Sequence, residues 1–522
     1  LKQTNKPKSP DKWMISRHHH PENRGMIPTL WSEREGNRSS ATRGTEMQSS
    51  ENEGIEGNTF LVTGGLGFVG SALCLELARR GARQVRTLDI QSTSPWSHLL
   101  QARHIHCIRG DVTSTEDVKR AFRGADCVFH LASFGMSGKE MLQTGRVDLV
   151  NINGTCCVLD ACAEFGIKRL IYVSTQNVVF GGHEIVNGDE TLPYFPIGDH
   201  VDPYGSSKSI AEQLVLRSNG RPSKNGGCLY TCAVRPGAIY GPGEERHLPR
   251  LIFLAKWGLL PFKIGKSTAK TDWVYVDNLV LALIRASMGL IFDDSSKQKQ
   301  PIAAGQAYFI SDGLPVNSFE FVHPLLRSLG YDLPEASMGV PLALVLGKIL
   351  KAIYTIFYPW LNRWWLPQPL MLPAEVYKVG ITHYFSILKA KQELGYVPTV
   401  SPGEGMAATI SYWQERKRRS LDGPTIRAWL FVVFGMVSLF GAAYLPGGGP
   451  VPLMGSIGLF VFRSVWMLRV VFIVSMAAHV GEAVYAWFLA KRVDPANSGV
   501  WFLQTLALGM FSLRFLLRRA RE

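Results

Sequence analysis

The stretch that decides the fold is Thr63-Gly64-Gly65-Leu66-Gly67-Phe68-Val69-Gly70. A short apolar run, residues 59–63, precedes it, and an amphipathic segment with a basic last turn follows from Ser71 to Gly81. Strand, glycine turn and helix in this order are typical of a dinucleotide-binding unit, in which the glycines allow the turn, the approach of a pyrophosphate and helix packing. The predicted cofactor contacts here are Gly64, Gly67, Phe68, Val69 and Gly70.

The next strand-like run, residues 84–88, is followed by Asp89, nineteen positions after Gly70. A carboxylate at this strand end can accept the hydrogen bonds of an adenosine ribose and repels a 2′-phosphate. Ile90 and Gln91 come next, so no cation follows that could bind such a phosphate. The sequence therefore favours NAD over NADP as the cofactor.

A second motif, Tyr204-Gly205-Ser206-Ser207-Lys208, places a phenol and an ammonium at i and i+4 on one helix face. Lowering a tyrosine pKa by about 3 units, so that it acts as a base near neutrality, requires roughly 4 kcal/mol. A neighbouring ammonium and a positively charged nicotinamide both favour the phenolate. We therefore predict Tyr204 as the base for a secondary alcohol, with Lys208 lowering its pKa and holding the cofactor ribose.

The glycine spacing G-x-x-G-x-x-G resembles that of the short-chain dehydrogenase/reductase superfamily. Three further patterns resemble its extended branch: P-Y-x-x-S-K-x-x-x-E at 203–212, R-P-x-x-I-Y-G-P-G at 235–243 and V-Y-V-D-N at 274–278. Across residues 59–415 the chain is similar to the 3β-hydroxysteroid dehydrogenase/isomerase-like group, which also holds sterol-4-carboxylate decarboxylating dehydrogenases. The resemblance implies an α/β fold with a doubly wound parallel (Rossmann) sheet. Its NAD-binding core would cover about 59–240 and a smaller α/β substrate part about 241–415.

The same resemblance implies further cofactor contacts. Asp111 and Val112 lie at the strand end that contacts adenine in the family, within residues 105–112. Ala132 belongs to a strand end whose small residues let the cofactor backbone pass, and Pro236 lies in the loop that borders nicotinamide and substrate.

Two more catalytic residues are implied by the resemblance. Residues 151–155 look like the family's N-V-x-G-T element, which adds Asn151. Residues 174–180 align with the S-S-x-x-V-x-F form of sterol-active relatives, whose second hydroxyl faces the nicotinamide. Because strand neighbours face opposite sides, only one of Ser174 and Thr175 can hold the substrate oxygen, and we predict Thr175.

The N-terminal segment and the cysteines give weaker signals. Residues 1–58 are polar without a hydrophobic period, which predicts disorder. All eight cysteines lie between Cys74 and Cys232 without the paired spacing of a zinc site. We therefore predict no metal site, and reduced thiols in a reducing compartment.

The C-terminal region, residues 424–522, predicts transmembrane segments at 428–445, Val470–Ala490 and Val500–Leu517. Although the chain has a net charge of +14, its basic clusters at 416–419 and 518–521 flank these segments. This favours a lipid membrane as partner and no nucleic acid. The tail also resembles a small uncharacterised multi-span membrane family.

Topology and the segment 340–366 leave alternatives open. The cluster at 416–419 predicts a multi-pass protein of the endoplasmic reticulum whose catalytic domain faces the cytosol. Basic clusters next to membrane spans usually lie on the cytosolic side, which is the positive-inside rule. Three spans would put the cluster at 518–521 in the lumen, so either one segment does not fully span or this rule fails here. Residues 340–366 are apolar with Lys348, Lys351 and a tryptophan-rich end, which indicates an interfacial helix or, alternatively, a core helix.

These patterns favour a membrane-anchored, NAD-dependent oxidoreductase that oxidises the 3β-hydroxyl of a hydrophobic steroid or sterol. A sugar-nucleotide epimerase or dehydratase shares the cofactor half, but the apolar segment and the anchor argue against a charged substrate. A third hypothesis is a non-catalytic NAD-binding membrane scaffold. A homodimer is a further expectation.

Overall fold

The computed structural model of the 522-residue chain describes residues 52–224, 226–256, 258–291, 300–361, 369, 371–419, 423–424, 426–445, 460 and 463–520. The chain forms two compact units, residues 1–413 and 414–522. Residues 1–51, most of the segment predicted to be disordered, lie outside the described residues.

The first unit is built on a parallel sheet in the order β12-β8-β5-β4-β1-β2-β3, with β7 antiparallel to β8 at one side. Its strands are β1 (Thr59–Thr63), β2 (Gln84–Asp89), β3 (His106–Arg109), β4 (Cys127–His130), β5 (Arg169–Val173), β7 (Arg221–Pro222), β8 (Cys228–Pro236) and β12 (Ala307–Ile310). Six short strands form three parallel pairs, β6–β14, β9–β11 and β10–β13. They are β6 (Ile185–Gly188), β9 (Ala238–Tyr240), β10 (Lys263–Ile264), β11 (Trp273–Tyr275), β13 (Ser337–Met338) and β14 (His383–Phe385).

Helices of the first unit alternate with these strands, and the last of them continues past residue 413 into the second unit. They are α1 (Phe68–Arg79), α2 (Ser97–Ala102), α3 (Thr115–Phe122), α4 (Thr144–Asp148), α5 (Gly154–Phe165), α6 (Pro203–Arg217), α7 (Leu248–Lys256), α8 (Val276–Met288), α9 (Ser318–Ser328), α10 (Val340–Leu361), α11 (Pro373–Gly380), α12 (Leu388–Leu394) and α13 (Pro402–Arg419). A single π-helical turn, Leu149–Asn153, lies between α4 and α5.

Side chains of the central strand β1 alternate between two buried layers. Phe60 and Val62 belong to a core with Leu73 of α1 and Leu283 of α8, whereas Leu61 joins a second core on the other face. The predicted doubly wound Rossmann sheet is thus confirmed. The strand order reverses between β1 and β4, and ligands of such sheets bind at the carboxyl ends of the strands beside this point.

Order begins before residue 59. Ile55 is fully buried in the core, and the Gly54 carbonyl accepts hydrogen bonds from the Arg169 guanidinium at 3.2 Å. Residues 52–58, which the sequence assigned to the disordered segment, are therefore ordered. One apolar side chain in a polar stretch was too weak a signal to predict this order.

The second unit is helical, with α14 (Ile426–Tyr444), α15 (Val465–Val493), α16 (Ser498–Leu508) and α17 (Met510–Arg519). The third predicted span, Val500–Leu517, is not one helix. Gly509 interrupts it with φ +57° and ψ −138°, a backbone conformation that favours glycine. The two helices on either side, of 11 and 10 residues, are each too short to cross a bilayer.

Two helices among the described residues are long and apolar enough to cross a membrane by length and composition, within Val340–Tyr358 and Val465–Val493. Shorter apolar helices cover Ala428–Tyr444 and Ser498–Leu508. The second predicted span therefore lies within α15, and the first coincides with α14. Part of the predicted interfacial segment, residues 362–366 with Trp364 and Trp365, lies outside the described residues.

Candidate active site

The glycine turn after β1 is packed too tightly for side chains. Gly64 has a φ of +70°. A Cβ on Gly70 would lie 2.3 Å from the Gly64 carbonyl oxygen, and a Cβ on Gly64 would lie 3.0 Å from the Ala132 Cα. Glycine is therefore required at both positions, because the start of α1 and the end of β4 meet the turn directly. Gly67 precedes the first helical residues, Phe68 and Val69, whose backbone amides lie at the positive end of the helix.

Asp89 is held by the backbone of the same turn. One carboxylate oxygen accepts from the Leu66 amide at 3.1 Å and the other from the Gln91 amide at 2.9 Å. Asp111 lies two residues beyond the end of the next strand, β3, and accepts from the Thr113 amide at 2.9 Å. Asp89 therefore lies at a strand end beside the glycine turn, in the place expected of a carboxylate that contacts ribose.

The residues of this edge fit a dinucleotide. Val112 is buried behind Asp111, and Ala132 donates its amide to the Thr63 hydroxyl at 3.2 Å. Pro236, at the end of β8, is buried. The tight turn, the helix N-terminus and the oriented Asp89 would hold pyrophosphate and ribose, and the nicotinamide of a bound cofactor would supply the hydride acceptor.

Helix α6 presents the predicted Tyr204 and Lys208 from its first two turns. Asp202 caps the helix by accepting from the Gly205 amide at 2.6 Å, and Pro203 takes the first helical position. Tyr204 is 4% and Lys208 1% exposed. The Lys208 ammonium donates to the Val173 carbonyl at 2.6 Å and lies 4.0 Å from the centre of the Tyr172 ring. The predicted pair is thus buried together at the end of β5.

The pKa values of this pair differ from the expectation. Burial raises the pKa of Tyr204 to about 12; Arg246 and a hydrogen bond from Ser133 lower it, while Asp202 raises it. Burial also lowers the pKa of Lys208 to about 7, which Glu212 partly opposes. The predicted lowering of the Tyr204 pKa by Lys208 is not found, because desolvation disfavours the charged form of both groups.

The two neighbouring hydroxyls after β5 have different surroundings. The Thr175 hydroxyl oxygen accepts from the Asn177 amide at 3.2 Å and caps a short turn. The buried Ser174 hydroxyl has no hydrogen-bond partner within the described part of the chain. Thr175 as the group that holds the substrate oxygen stays a prediction. Ser133, at the end of β4, was not predicted, and its position next to Ala132 was the available signal.

Asn151 lies in the π-helical turn, and both its side-chain nitrogen and its side-chain oxygen are hydrogen-bonded. The amide nitrogen donates to the Phe134 carbonyl and to the Ser207 hydroxyl, both at 2.9 Å, and the oxygen accepts from the Phe134 amide at 2.8 Å. Asn151 therefore fixes the loop after β4 against α6, one residue from Lys208. Its catalytic role stays a prediction.

A buried chain of hydrogen bonds joins the glycine turn to this π-helical turn. The Thr63 hydroxyl lies 2.7 Å from Nδ1 of His130, whose Nε2 lies 3.0 Å from the Thr155 hydroxyl. Thr155 in turn donates to the Asn151 carbonyl at 2.6 Å. Burial and the nearby Lys208 lower the pKa of His130 to about 3. A neutral imidazole therefore connects the end of β1, beside the glycine turn, with the π-helical turn.

Two residues of separate sequence motifs form a buried ion pair. The Arg235 guanidinium donates to the Glu212 carboxylate at 2.6 Å and 3.0 Å, and the side chains are 4% and 0% exposed. The Tyr194 hydroxyl donates to the same carboxylate at 2.8 Å. The pair connects α6 to β8 and explains why both motifs carry a charged residue at these positions.

Comparison with known proteins identifies the family. A model of the 3-beta hydroxysteroid dehydrogenase/isomerase family matches residues 61–342, more than half of the chain. The chain belongs to this family. The group suggested by the sequence motifs is thereby confirmed. Residues 427–518 match a second model, that of transmembrane protein 254, which indicates membrane association.

Two kinds of relatives support the assignment. The chain is 46% identical over 341 residues to short-chain dehydrogenase/reductase family 42E member 1 of Macaca fascicularis, covering 65% of this chain and 83% of the relative. It is 34% identical over 371 residues to 3beta-hydroxysteroid-dehydrogenase/decarboxylase isoform 1 of Arabidopsis thaliana, covering 69% of this chain and 80% of the relative. The first unit, residues 1–413, is therefore that of an NAD-binding short-chain oxidoreductase, and we call it the dehydrogenase unit.

Solved structures show the same fold at lower identity. Epimerase Mth375 of Methanothermobacter thermautotrophicus has a TM-score of 0.53 and 22% identity, covering 72% of this chain and 97% of the epimerase. A double mutant of the dTDP-glucose 4,6-dehydratase DesIV of Streptomyces venezuelae, solved with NAD, has a TM-score of 0.52 and 21% identity. The match covers 69% of this chain and 97% of the dehydratase. At this identity the likeness shows the fold alone.

Proposed function

We propose that this protein is a membrane-anchored, NAD-dependent dehydrogenase that oxidises the 3β-hydroxyl of a steroid or sterol. The observation that carries the proposal is the buried Tyr204–Lys208 pair on α6, next to a glycine turn that fits a dinucleotide. Tyr204 takes the proton of the substrate hydroxyl, and its pKa, which burial raises, would be lowered by the positive charge that an oxidised nicotinamide would supply. Lys208 would hold the cofactor ribose, and Thr175 would hold the substrate oxygen.

The substrate class is supported by the family and by the name of the Arabidopsis relative. The exposed apolar side chains of α10 also suit a substrate dissolved in lipid better than a charged sugar nucleotide. NAD is the proposed cofactor because the turn holds the Asp89 carboxylate where a 2′-phosphate would be repelled.

The proposed partner is a lipid membrane, which the protein meets in two ways. The second unit anchors it, in the endoplasmic reticulum with the dehydrogenase unit in the cytosol. Helix α10 of the first unit lies in the interface. Its exposed apolar side chains recur at a spacing of three and four residues and so form one stripe, consisting of Leu342, Val345, Leu346, Ile349, Ile353, Ile356 and Phe357.

Both ends of α10 stay on the dehydrogenase unit, which favours an interfacial helix over a span. Near its start, a Cβ on Gly347 would lie 3.3 Å from the backbone nitrogen of Pro373 in α11. Near its end, burial raises the pKa of Tyr358 and Arg146 of α4 lies close enough to oppose this. The whole helix has 22 residues and is about 33 Å long, so its length alone would allow a span, and its contacts with the first unit are what favour the interface.

Turnover by the purified 522-residue protein tests the proposal. The protein in lipid vesicles is given NAD and a panel of 3β-hydroxysteroids and sterols, and NADH formation and ketone product are measured. We expect both products with wild type and neither with Tyr204→Phe. A sugar nucleotide is the comparison substrate, because its epimerisation or dehydration would form no net NADH. Conversion of that sugar nucleotide without oxidation of any panel member would contradict the proposal, as would the absence of all turnover.

A further inference from the structure

A continuous series of contacts leads from the outer face of α10 to the cap of the catalytic helix. Helix α10 packs on α11 through Gly347, whose lack of a side chain lets the Leu372–Pro373 backbone approach closely. Ala343, one turn earlier on the same face, is fully buried. Displacement of α10 therefore moves the start of α11 or opens this close packing.

Helix α11 is in turn fixed at both ends by charged side chains. At its start the Arg250 guanidinium of α7 donates to the Glu375 carboxylate at 2.9 Å. At its end the Lys378 ammonium donates to Asp202 at 2.8 Å. Asp202 is 4% exposed, so a charged carboxylate at this position needs a cation or hydrogen-bond donor of the protein as its partner.

Asp202 divides its two oxygens between the two helices. Oδ2 accepts from Lys378 of α11, whereas Oδ1 accepts from the Gly205 amide in the first turn of α6. Tyr204 lies between Asp202 and Gly205 in the sequence. A change in the position of Lys378 therefore acts on the cap of α6 and on the orientation of the turn that carries the proposed base.

We propose that seating of the α10 apolar stripe in a bilayer surface positions Tyr204 through α11, with Lys378 as the positioning residue that transmits it to Asp202. The inference rests on the proposed function and adds a control by the membrane to the same site. In a bilayer the seven stripe side chains leave water, which holds α10 against α11 and keeps the Lys378–Asp202 ion pair in place. Without the bilayer, the stripe side chains stay in water and do not help to keep α10 packed against α11.

The experiment uses the 522-residue protein in vesicles of phosphatidylcholine and phosphatidylserine, where the C-terminal unit keeps every variant on the membrane. Ile349→Ser with Ile353→Ser weakens the seating of α10, and Lys378→Met breaks the link to Asp202. The two changes are also combined. Val397→Ser removes an equally exposed apolar side chain outside α10 and is the matched control, while Lys378→Arg preserves the ion pair.

Two quantities are measured for each variant: kcat on a water-soluble secondary alcohol with NAD, and hydrogen exchange of the α6 first-turn amides. The stripe change should lower kcat about threefold or more and speed exchange at Gly205, whereas Val397→Ser should do neither. In the Lys378→Met background the stripe change should add nothing, because the link is already broken. In the Lys378→Arg background its effect should return.

The inference is overturned if the stripe change has the same effect in the wild-type and Lys378→Met proteins, or no effect on exchange in wild type. The exchange measurement needs no turnover. A protein without dehydrogenase activity that still shows the coupled exchange would therefore refute the proposed function and leave the mechanical link standing. Active protein with uncoupled exchange would refute the link alone.

Discussion

Tyr204 and Lys208 show how burial and charge compete at single residues. The apolar surroundings that exclude water also raise the pKa of the phenol to about 12 and lower that of the ammonium to about 7. A helix with the right spacing therefore does not by itself make a base. The charge that favours the phenolate has to arrive with the cofactor, so Tyr204 would become a base only when a nicotinamide is bound.

Replacing the phenol tests this role directly. Tyr204→Phe should lower kcat by about 10²-fold or more while leaving NAD affinity unchanged, because only the proton relay is removed. Lys208→Met should lower both kcat and NAD affinity, since the ammonium would also hold the ribose. Steady-state kinetics and NAD titration measure the two effects, with Tyr230→Phe on β8 as control. If Tyr204→Phe kept more than about a tenth of the wild-type kcat, the assignment would be wrong.

Asp89 should determine the choice of cofactor. Asp89→Ala with Ile90→Arg should weaken NAD binding about tenfold and improve NADP binding, because a charged hydrogen-bond acceptor is lost and a phosphate partner is gained. Asp89→Asn is the control, since it retains an acceptor for the Leu66 amide. The measurement is kcat/KM for both cofactors. A wild-type protein that already prefers NADP contradicts this explanation.

At the scale of helices and strands, local patterns were predictable and long-range partners were not. The glycine turn and α6 follow from residues within one turn of each other, so their motifs placed them correctly. The Arg235–Glu212 pair joins positions 23 residues apart, and nothing local shows that they meet. For the same reason the contacts of Asn151 with Phe134 and Ser207 could not be deduced. Gly509 was missed because a single glycine in an apolar run is often tolerated within a helix.

The ion pair between α6 and β8 should be important for stability. Glu212→Gln leaves the buried Arg235 cation without a counter-charge, which should cost about 3–5 kcal/mol and lower the Tm of the dehydrogenase unit. Asp160→Asn on α5 is the control, since Asp160 pairs with Arg221 at the surface and such pairs contribute about 0–1 kcal/mol. Thermal unfolding in detergent measures both. Equal shifts in Tm would contradict a structural role for the buried pair.

At the scale of the whole molecule, the two units have separate cores and separate family matches. Truncation after Gly423 should therefore keep kcat on a soluble alcohol within about twofold of wild type when both proteins are measured on vesicles, where α10 stays seated. The truncated protein should still float with vesicles through α10, and Ile349→Ser with Ile353→Ser should release it. A truncated protein that remains in solution with an unchanged stripe would show that α10 does not bind membranes.

The distribution of thiols gives this protein a built-in marker of sidedness. All eight cysteines lie in the dehydrogenase unit, and Cys107, Cys156 and Cys228 are exposed, whereas residues 414–522 contain none. A maleimide that cannot permeate membranes will therefore label sealed microsomes only if the catalytic unit lies on their outer side. The natural chain can thus report its own orientation, and reagent added before or after rupture of the vesicles will distinguish the two faces without a tag or an engineered residue.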